Sequence, residues 1–227
     1  MYYLRAYATN SEGTFYGNEL SFTTSPFTCG TSAITVYHTA DTVAPETKTV
    51  AYGTVTNIPG ETSKCWITRN LGASMQADSV DATMESKAGW YWQFNRKQGY
   101  QYDGTTLTPS WPVNYGINEN SGWLSVNDPC ALELGTPWRI PSYTEWNNVD
   151  NVGGWTTWNG PWNSGLKLHS AGYIAYYYGI PYFRGVDGYY WSNTQDGNST
   201  SQCLNISSFF SYLDFNNKSS GFSVRCI

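Results

Sequence analysis

The chain has 227 residues, enough for one sizeable core, and 17% are aromatic, including 19 Tyr and 11 Trp. These side chains, apolar in body and polar at the tip, serve both cores and wet recognition surfaces. Charged residues are only 13%, with a net charge of −5, 12 basic residues and no Lys/Arg cluster. The basic footprint that a nucleic-acid partner needs is therefore missing, and no apolar run approaches the ~20 residues of a membrane span. Met1-Tyr2-Tyr3-Leu4-Arg5 has neither the basic start nor the apolar stretch of a signal peptide. The numbering begins inside a strand-like segment, so any leader is expected upstream.

Residues 1–25 are read as one unit. Tyr2 to Ala8 alternates like a strand, Asn10-Ser11-Glu12-Gly13 is turn chemistry, and Asn18 to Thr24 is a second strand. The pair resembles the last hairpin of a fibronectin type III domain, through Tyr3-Leu4-Arg5-Ala6-Tyr7-Ala8 and Gly17-Asn18 with Ser21-Phe22. A lone hairpin is marginal in water. Tyr3, Leu4, Tyr7, Leu20 and Phe22 predict that one face docks on the following module or on a neighbouring chain. Ser25-Pro26 reads as a linker.

From Cys29 onward, short strands alternate with long loops. Ala33–Tyr37, Thr49–Val55 and Cys65–Thr68 are predicted strands. Residues 82–98 are predicted helical from Ala82, Ala88, Trp90, Trp92 and Phe94, with Gly89 against. Residues 99–129 form a long loop rich in Gly, Asn, Ser and Pro. In Pro141-Ser142-Tyr143-Thr144-Glu145-Trp146, Ser142 and Glu145 form a capping box, which predicts a helix ending at Gly153-Gly154. Gly188–Ser192, Cys203–Ile206, Phe209–Phe215 and Phe222–Cys226 are predicted strands.

Five cysteines, with no CxxC and two distant histidines, His38 and His169, argue against a zinc site. Two disulfides and one unpaired thiol fit an oxidising compartment. Five reduced core cysteines are the alternative.

Several landmarks occur in order. They are Cys65-Trp66-Ile67-Thr68-Arg69-Asn70-Leu71-Gly72, then Gly135-Thr136-Pro137-Trp138-Arg139-Ile140-Pro141-Ser142 with Glu145-Trp146. Leu166-Lys167-Leu168, Ala171-Gly172-Tyr173, Gly188-Tyr189-Tyr190-Trp191-Ser192 and Gly221-Phe222-Ser223-Val224-Arg225-Cys226 follow. Together they resemble the C-type-lectin-like modules of Bacteroidetes surface and phage proteins, including the Fibrobacter succinogenes major paralogous domain. The resemblance spans residues 29–227. It implies an α+β, C-type-lectin-like fold with two helices and short antiparallel strands, here preceded by the N-terminal hairpin. It also implies a ligand face of loops and late strands. It places Cys130 beside Cys226, and Cys29 and Cys65 flank the first strands, so these two pairs are the expected disulfides.

Residues 195–220 resemble the variable segment of diversity-generating-retroelement targets, whose Asn-type codons are mutated at adenines. Such codons cannot yield Trp, Met, Lys, Gln or Glu, and between Asp196 and Ser220 only Gln202 and Lys218 fall outside the allowed set. A polar, solvated strand-and-loop segment has the same composition. The candidate ligand contacts are Asp196, Asn198, Ser199, Thr200, Ser201, Asn205, Ser207, Phe210, Tyr212, Asp214, Asn216, Asn217, Ser219 and Ser220. Small polar groups supply adaptable hydrogen bonds and the two aromatics rigid contact area. Leu204, Ile206 and Phe215 are expected to face inward, alternating with Cys203, Asn205 and Ser207. Trp191, Phe222 and Val224 join this expected buried scaffold. Cys203 is the leftover thiol.

Other readings compete. Trp155, Trp158 and Trp162 form either a sugar-stacking cluster or core under a loop. Asp103, Glu119, Asp128, Glu133 and Asp187 are possible calcium ligands. Glu-Pro-Asn, Gln-Pro-Asp and Trp-Asn-Asp, the signatures of calcium-dependent sugar binding, are absent; Trp146-Asn147-Asn148 is the nearest approach. No Gly-x-Ser-x-Gly, His-Glu-x-x-His, P-loop or Rossmann glycine pattern occurs. A two-carboxylate glycosidase pair is the residual enzyme reading.

The expectation is a non-enzymatic receptor or adhesin domain without cofactor, binding a protein or glycan on a cell surface. Its expected setting is extracellular, on a cell surface or a phage virion. The alternative is a fixed structural or carbohydrate-binding module of a secreted multidomain protein.

Overall fold

The computed structural model describes residues 2–22, 26–113 and 116–227. Thr23, Thr24 and Ser25, from the predicted second strand and linker, lie outside them, as do residues 114–115 of the predicted long loop. Strands β1 (Tyr2–Asn10) and β2 (Gly13–Phe22) pair antiparallel, with a bulge between Arg5 and Tyr7. Arg5 pairs with Glu19 at 3.5 Å, and the rings of Tyr7 and Tyr16 lie 6.3 Å apart. Of the five side chains expected to dock on the module or a neighbouring chain, Tyr3, Leu4, Tyr7 and Leu20 are exposed, and the Phe22 side chain lies outside the described ones.

The module begins with β3 (Ile34–His38), β4 (Lys48–Tyr52), β5 (Thr54–Val55) and β6 (Trp66–Ile67). One helical turn, α1 (Glu85–Ala88), leads into β7 (Tyr91–Trp92), β8 (Gly99–Tyr102) and β9 (Leu107–Thr108). Helices α2 (Pro129–Leu134), α3 (Tyr143–Gly153) and α4 (Asn159–Asn163) follow, then β10 (Tyr173–Ile174) and β11 (Pro181–Tyr182). The chain closes with β12 (Asp187–Gln195), β13 (Thr200–Ser207), β14 (Ser211–Asn217) and β15 (Phe222–Ser223).

Seven of these form one sheet in the order β14-β13-β12-β15-β7-β8-β9. Only the β12–β15 pairing is parallel. The α+β, two-helix lectin-like arrangement is thereby overturned. The described chain is mostly β, with this sheet, several two-stranded ribbons and four short helices. The reason is visible at residues 82–98. Trp90, Trp92 and Phe94 pack into one core and Tyr91 between them into another, so successive side chains point to opposite sides with a period of two rather than 3.6. Gly89 stops α1 at φ +76°, where an added Cβ would lie 2.6 Å from the Leu71 carbonyl oxygen.

α3, at 11 residues, is the longest of the four described helices, and its ends match its sequence. Ser142 accepts from the Glu145 amide and Glu145 accepts from the Ser142 amide, while Gly154 caps the other end in the left-handed conformation. Burial alone would raise the Glu145 carboxyl. Both Arg139 nitrogens, at 2.5 and 2.8 Å, and the Ser142 amide outweigh it and hold the pKa at about 2.

Two aromatic cores flank the late strands. One joins Trp90, Trp92, Phe94, Trp123, Trp191 and Phe222 and includes the Cys130–Cys226 disulfide. The other sets Trp66, Trp146 and Val149 against Tyr190, Leu204 and Ile206. Cys29–Cys65 ties the module's entry to β6, and Cys203 is free and buried. Arg225, fully buried, donates to the carbonyls of Ile67 and Leu166 and to Asn70, which fastens the final segment to the early loops.

His169 is buried with neither ring nitrogen partnered. Burial first, then the charges of Arg225 and Lys87, depress its pKa from 6.5 to about 3. The folded state thus binds this proton more weakly than the unfolded chain. Stability from the neutral ring is complete above the unfolded pKa and is lost as pH falls toward about 3, by ~5 kcal/mol at the limit. We expect His169→Leu to flatten the fall in thermal midpoint between these pH values, measured by circular dichroism. Parallel pH profiles for the two proteins would contradict this.

Candidate binding face

β13 lies between β12 and β14, and its register aligns two sets of side chains. Tyr190, Leu204 and Leu213 stand on the side that packs beneath α3. Tyr189, Asn205 and Tyr212 align on the opposite side, as do Trp191, Cys203 and Asp214. Asp187, opposite Ser207, also falls on that side. β14 is an edge strand, with one backbone edge unpaired within the sheet.

The sequence-derived contact residues divide into three groups. Asp196, Asn198, Ser199 and Tyr212 are exposed. Thr200, Phe210, Asp214, Asn216 and Asn217 are half-buried. Ser201, Asn205, Ser207, Ser219 and Ser220 are buried, against the expectation of exposure. Ser201 donates to the Thr194 carbonyl, Ser207 accepts from the Phe209 amide, and Ser219 accepts from the Ile117 amide. The Ser201 and Ser207 hydroxyls close their own turns, and Ser219 joins its turn to the distant segment at Ile117, so backbone groups that would otherwise be unpaired are satisfied.

Trp191, Leu204, Ile206, Phe222 and Val224 are buried. The expected alternation along β13 fails, because Cys203, Asn205 and Ser207 are buried as well. The strand is covered on both faces. Phe215 is the reverse case. It is 59% exposed on the edge strand opposite Gln202, outside the Leu204–Leu213 packing.

The sequence reading missed a second set of aromatic residues. Residues 173–190 hold seven tyrosines. Tyr173 lies 5.0 Å from Tyr189, 6.0 Å from Tyr182 and 6.1 Å from Phe183 between ring centroids. Tyr212 and Phe210 are 4.9 Å apart. Tyr178, Phe183, Phe209, Tyr212 and Phe215 are exposed, Phe209 by 88%. The local tyrosine density was the available signal, but only the register links it to β13 and β14.

Asp187 contributes charge here. Burial raises its pKa, and the Tyr189 hydroxyl opposes that rise. The Tyr212 hydroxyl is pushed up by burial, then by the charges of Asp214 and Asp187. Asn205 directs its amide nitrogen toward the Tyr212 hydroxyl at 3.5 Å, and its side-chain oxygen has no partner.

Other candidate sites are occupied by packing. Trp155 is in the core, Trp158 packs on it, and Lys167 covers the Trp162 ring at 4.6 Å. Asp128 caps α2, Glu133 accepts from His38 at 2.5 Å, and Glu119 pairs with Arg96 at 2.6 Å. Asp103 accepts from its own turn at Thr105 and Thr106. Among the described residues no three His, Cys, Asp or Glu side chains are grouped to hold a metal ion, and no helix is long and apolar enough to cross a membrane. A cleft of about 410 Å³ lies between Phe27, Lys64, Trp138 and Ile227. Arg139, which also lines it, is taken up by Glu145.

No family model, no curated protein and no solved structure matches the chain.

Exposure separates two classes of substitution. Phe209→Ser and Phe215→Ser should each change unfolding free energy by less than about 0.5 kcal/mol. Leu204→Ala should cost ~2–5 kcal/mol. Urea denaturation followed by tryptophan fluorescence measures both. Comparable losses at all three positions would refute the division.

Proposed function

We propose that the chain is a non-enzymatic receptor or adhesin domain, displayed on a cell surface or virion, whose C-terminal strands carry a diversified binding surface. The observation that carries this reading is the separation of side chains within residues 196–217. Exposed Asn198, Ser199 and Phe209 in the turns, and Tyr212 and Phe215 on opposite faces of the edge strand, are carried by strands anchored by fully buried Leu204 and Ile206. Tyr and Phe supply contact area at low entropic cost, and Asn and Ser supply adaptable hydrogen bonds. Such a surface can change its sequence without changing the fold.

The two residues outside the Asn-codon repertoire fit the same reading. Lys218 is fully buried, donates to the Glu119 carbonyl at 2.6 Å and lies over the Phe94 ring. A residue with that role belongs to the fixed scaffold. Gln202 braces the β12–β13 turn by donating to Asp196 at 2.7 Å. The hairpin β1–β2, with apolar side chains exposed on both strands, is read as the end of a preceding fibronectin-type module.

Population sequencing of the coding region tests the reading. Substitutions should be adenine-directed and concentrated in the codons for Asn198, Ser199, Phe209, Tyr212, Asp214 and Asn216. The codons for Trp191, Lys218 and Phe222 should be constant. An invariant segment across cells would leave a fixed binding module and overturn the diversified surface.

A further inference from the structure

We infer that the aromatic face of β12–β14 recognises cationic groups, and that its partner is a protein segment bearing exposed arginine or lysine. The inference rests on the reading of this face as a binding surface and adds the chemistry of the ligand. Residues 185–217 contain Asp187, Asp196 and Asp214 and no Lys, Arg or His. The cations at both ends of that stretch are already engaged. Arg184 is paired with Glu85 and donates to the Tyr91 hydroxyl, and Lys218 is buried on the Glu119 carbonyl.

Asp187 and Asp214 pair with no basic side chain among the described residues. Both lie near enough to Tyr212 to raise its hydroxyl pKa after burial has done so. They stand on the same side of the sheet as Tyr189 and Tyr212, with Tyr173, Tyr182 and Phe183 adjoining. Ring faces carry negative potential and attract ammonium and guanidinium groups, which adds to the carboxylate attraction.

An independent feature points the same way. Asn205 is 3% exposed and sits in register between Tyr189 and Tyr212, and its side-chain oxygen lacks a donor. A buried acceptor without a donor is costly unless a ligand supplies one. Carboxylates and ring faces call for positive charge and the unsatisfied carbonyl for a hydrogen-bond donor, and arginine and lysine supply both. A neutral glycan matches the rings but leaves the two carboxylates uncompensated.

Fluorescence anisotropy of the whole chain with labelled peptides tests this. The probes are an arginine-glycine repeat, a glutamate-glycine repeat and a neutral mannose oligosaccharide. The arginine peptide should bind more tightly than the other two, and added NaCl should weaken it. Asp187→Asn with Asp214→Asn should reduce its affinity by about ten-fold or more. Glu12→Gln with Glu19→Gln removes the same charge from the hairpin and should leave affinity within about two-fold. Tyr212→Ala should weaken binding where Tyr212→Phe preserves it. If the double aspartate variant unfolds, Asp214→Asn alone, on the edge strand, reads the same loss.

Equal effects of the two double variants would reduce the binding to net charge and overturn the inference. Tighter binding of the mannose oligosaccharide, unaffected at Asp187 and Asp214, would overturn it in favour of a glycan surface. An invariant coding segment combined with site-dependent arginine binding would overturn the diversification and leave this inference standing.

Discussion

Burial of β13 on both faces is the constraint on which the late half of the chain depends. On one side Leu204 and Ile206 meet Trp146 and Val149 of α3. On the other, Cys203 joins Trp191 and Phe222, whose rings stack at 4.2 Å. Each fully buried aliphatic side chain contributes roughly 1.5–3 kcal/mol by removal from water. Strand ladders to β12 and β14 satisfy the backbone between these layers. With both edges of β13 paired and residues 203–207 buried, its turns and the outer strand β14 are the most open to solvent.

Under the proposed binding function, that arrangement decides where recognition can occur. The β12–β13 turn presents Asp196, Asn198 and Ser199, and the edge strand presents Tyr212 and Phe215. The Tyr-rich segment from Tyr173 to Tyr189 stands beside the edge strand through Tyr189, Asn205 and Tyr212. Under the proposed reading, the topology supplies a surface with a fixed aromatic half and a changeable half. Ser201 and Ser207 hold the turns by short-range hydrogen bonds, and Lys218 ties the end of β14 to the Glu119 carbonyl of an earlier loop, which anchors the backbone framework beneath the exposed positions.

Some of this was legible in the sequence and some was not. The capping box of Ser142 and Glu145 and the stop at Gly153-Gly154 specify α3 locally, and its ends are where the residues place them. The strands near 188–192, 203–206 and 209–215 were also visible. Trp90, Trp92 and Phe94 misled because apolar spacing over a short run suits a strand and a helix alike, and Gly89 carried the deciding information. Asn205 and Ser201 misled for another reason. Small polar residues usually mark solvent, but here hydrogen bonds and packing enclose them. The exposure of Phe215 and the approach of Tyr189 to Tyr212 depend on strand order, which no local pattern encodes.

The central claim is that residues 196–217 divide into a rigid scaffold and a tolerant surface. A display library substituting every position of this segment, sorted by resistance to protease, tests it most directly. The account predicts wide tolerance at 196, 198, 199, 209, 212, 214, 215 and 216. It predicts intolerance of large or charged residues at Ser201, Cys203, Leu204, Asn205, Ile206 and Ser207, the buried core of β13. Uniform tolerance across the segment, or tolerance concentrated at those buried positions, would contradict it.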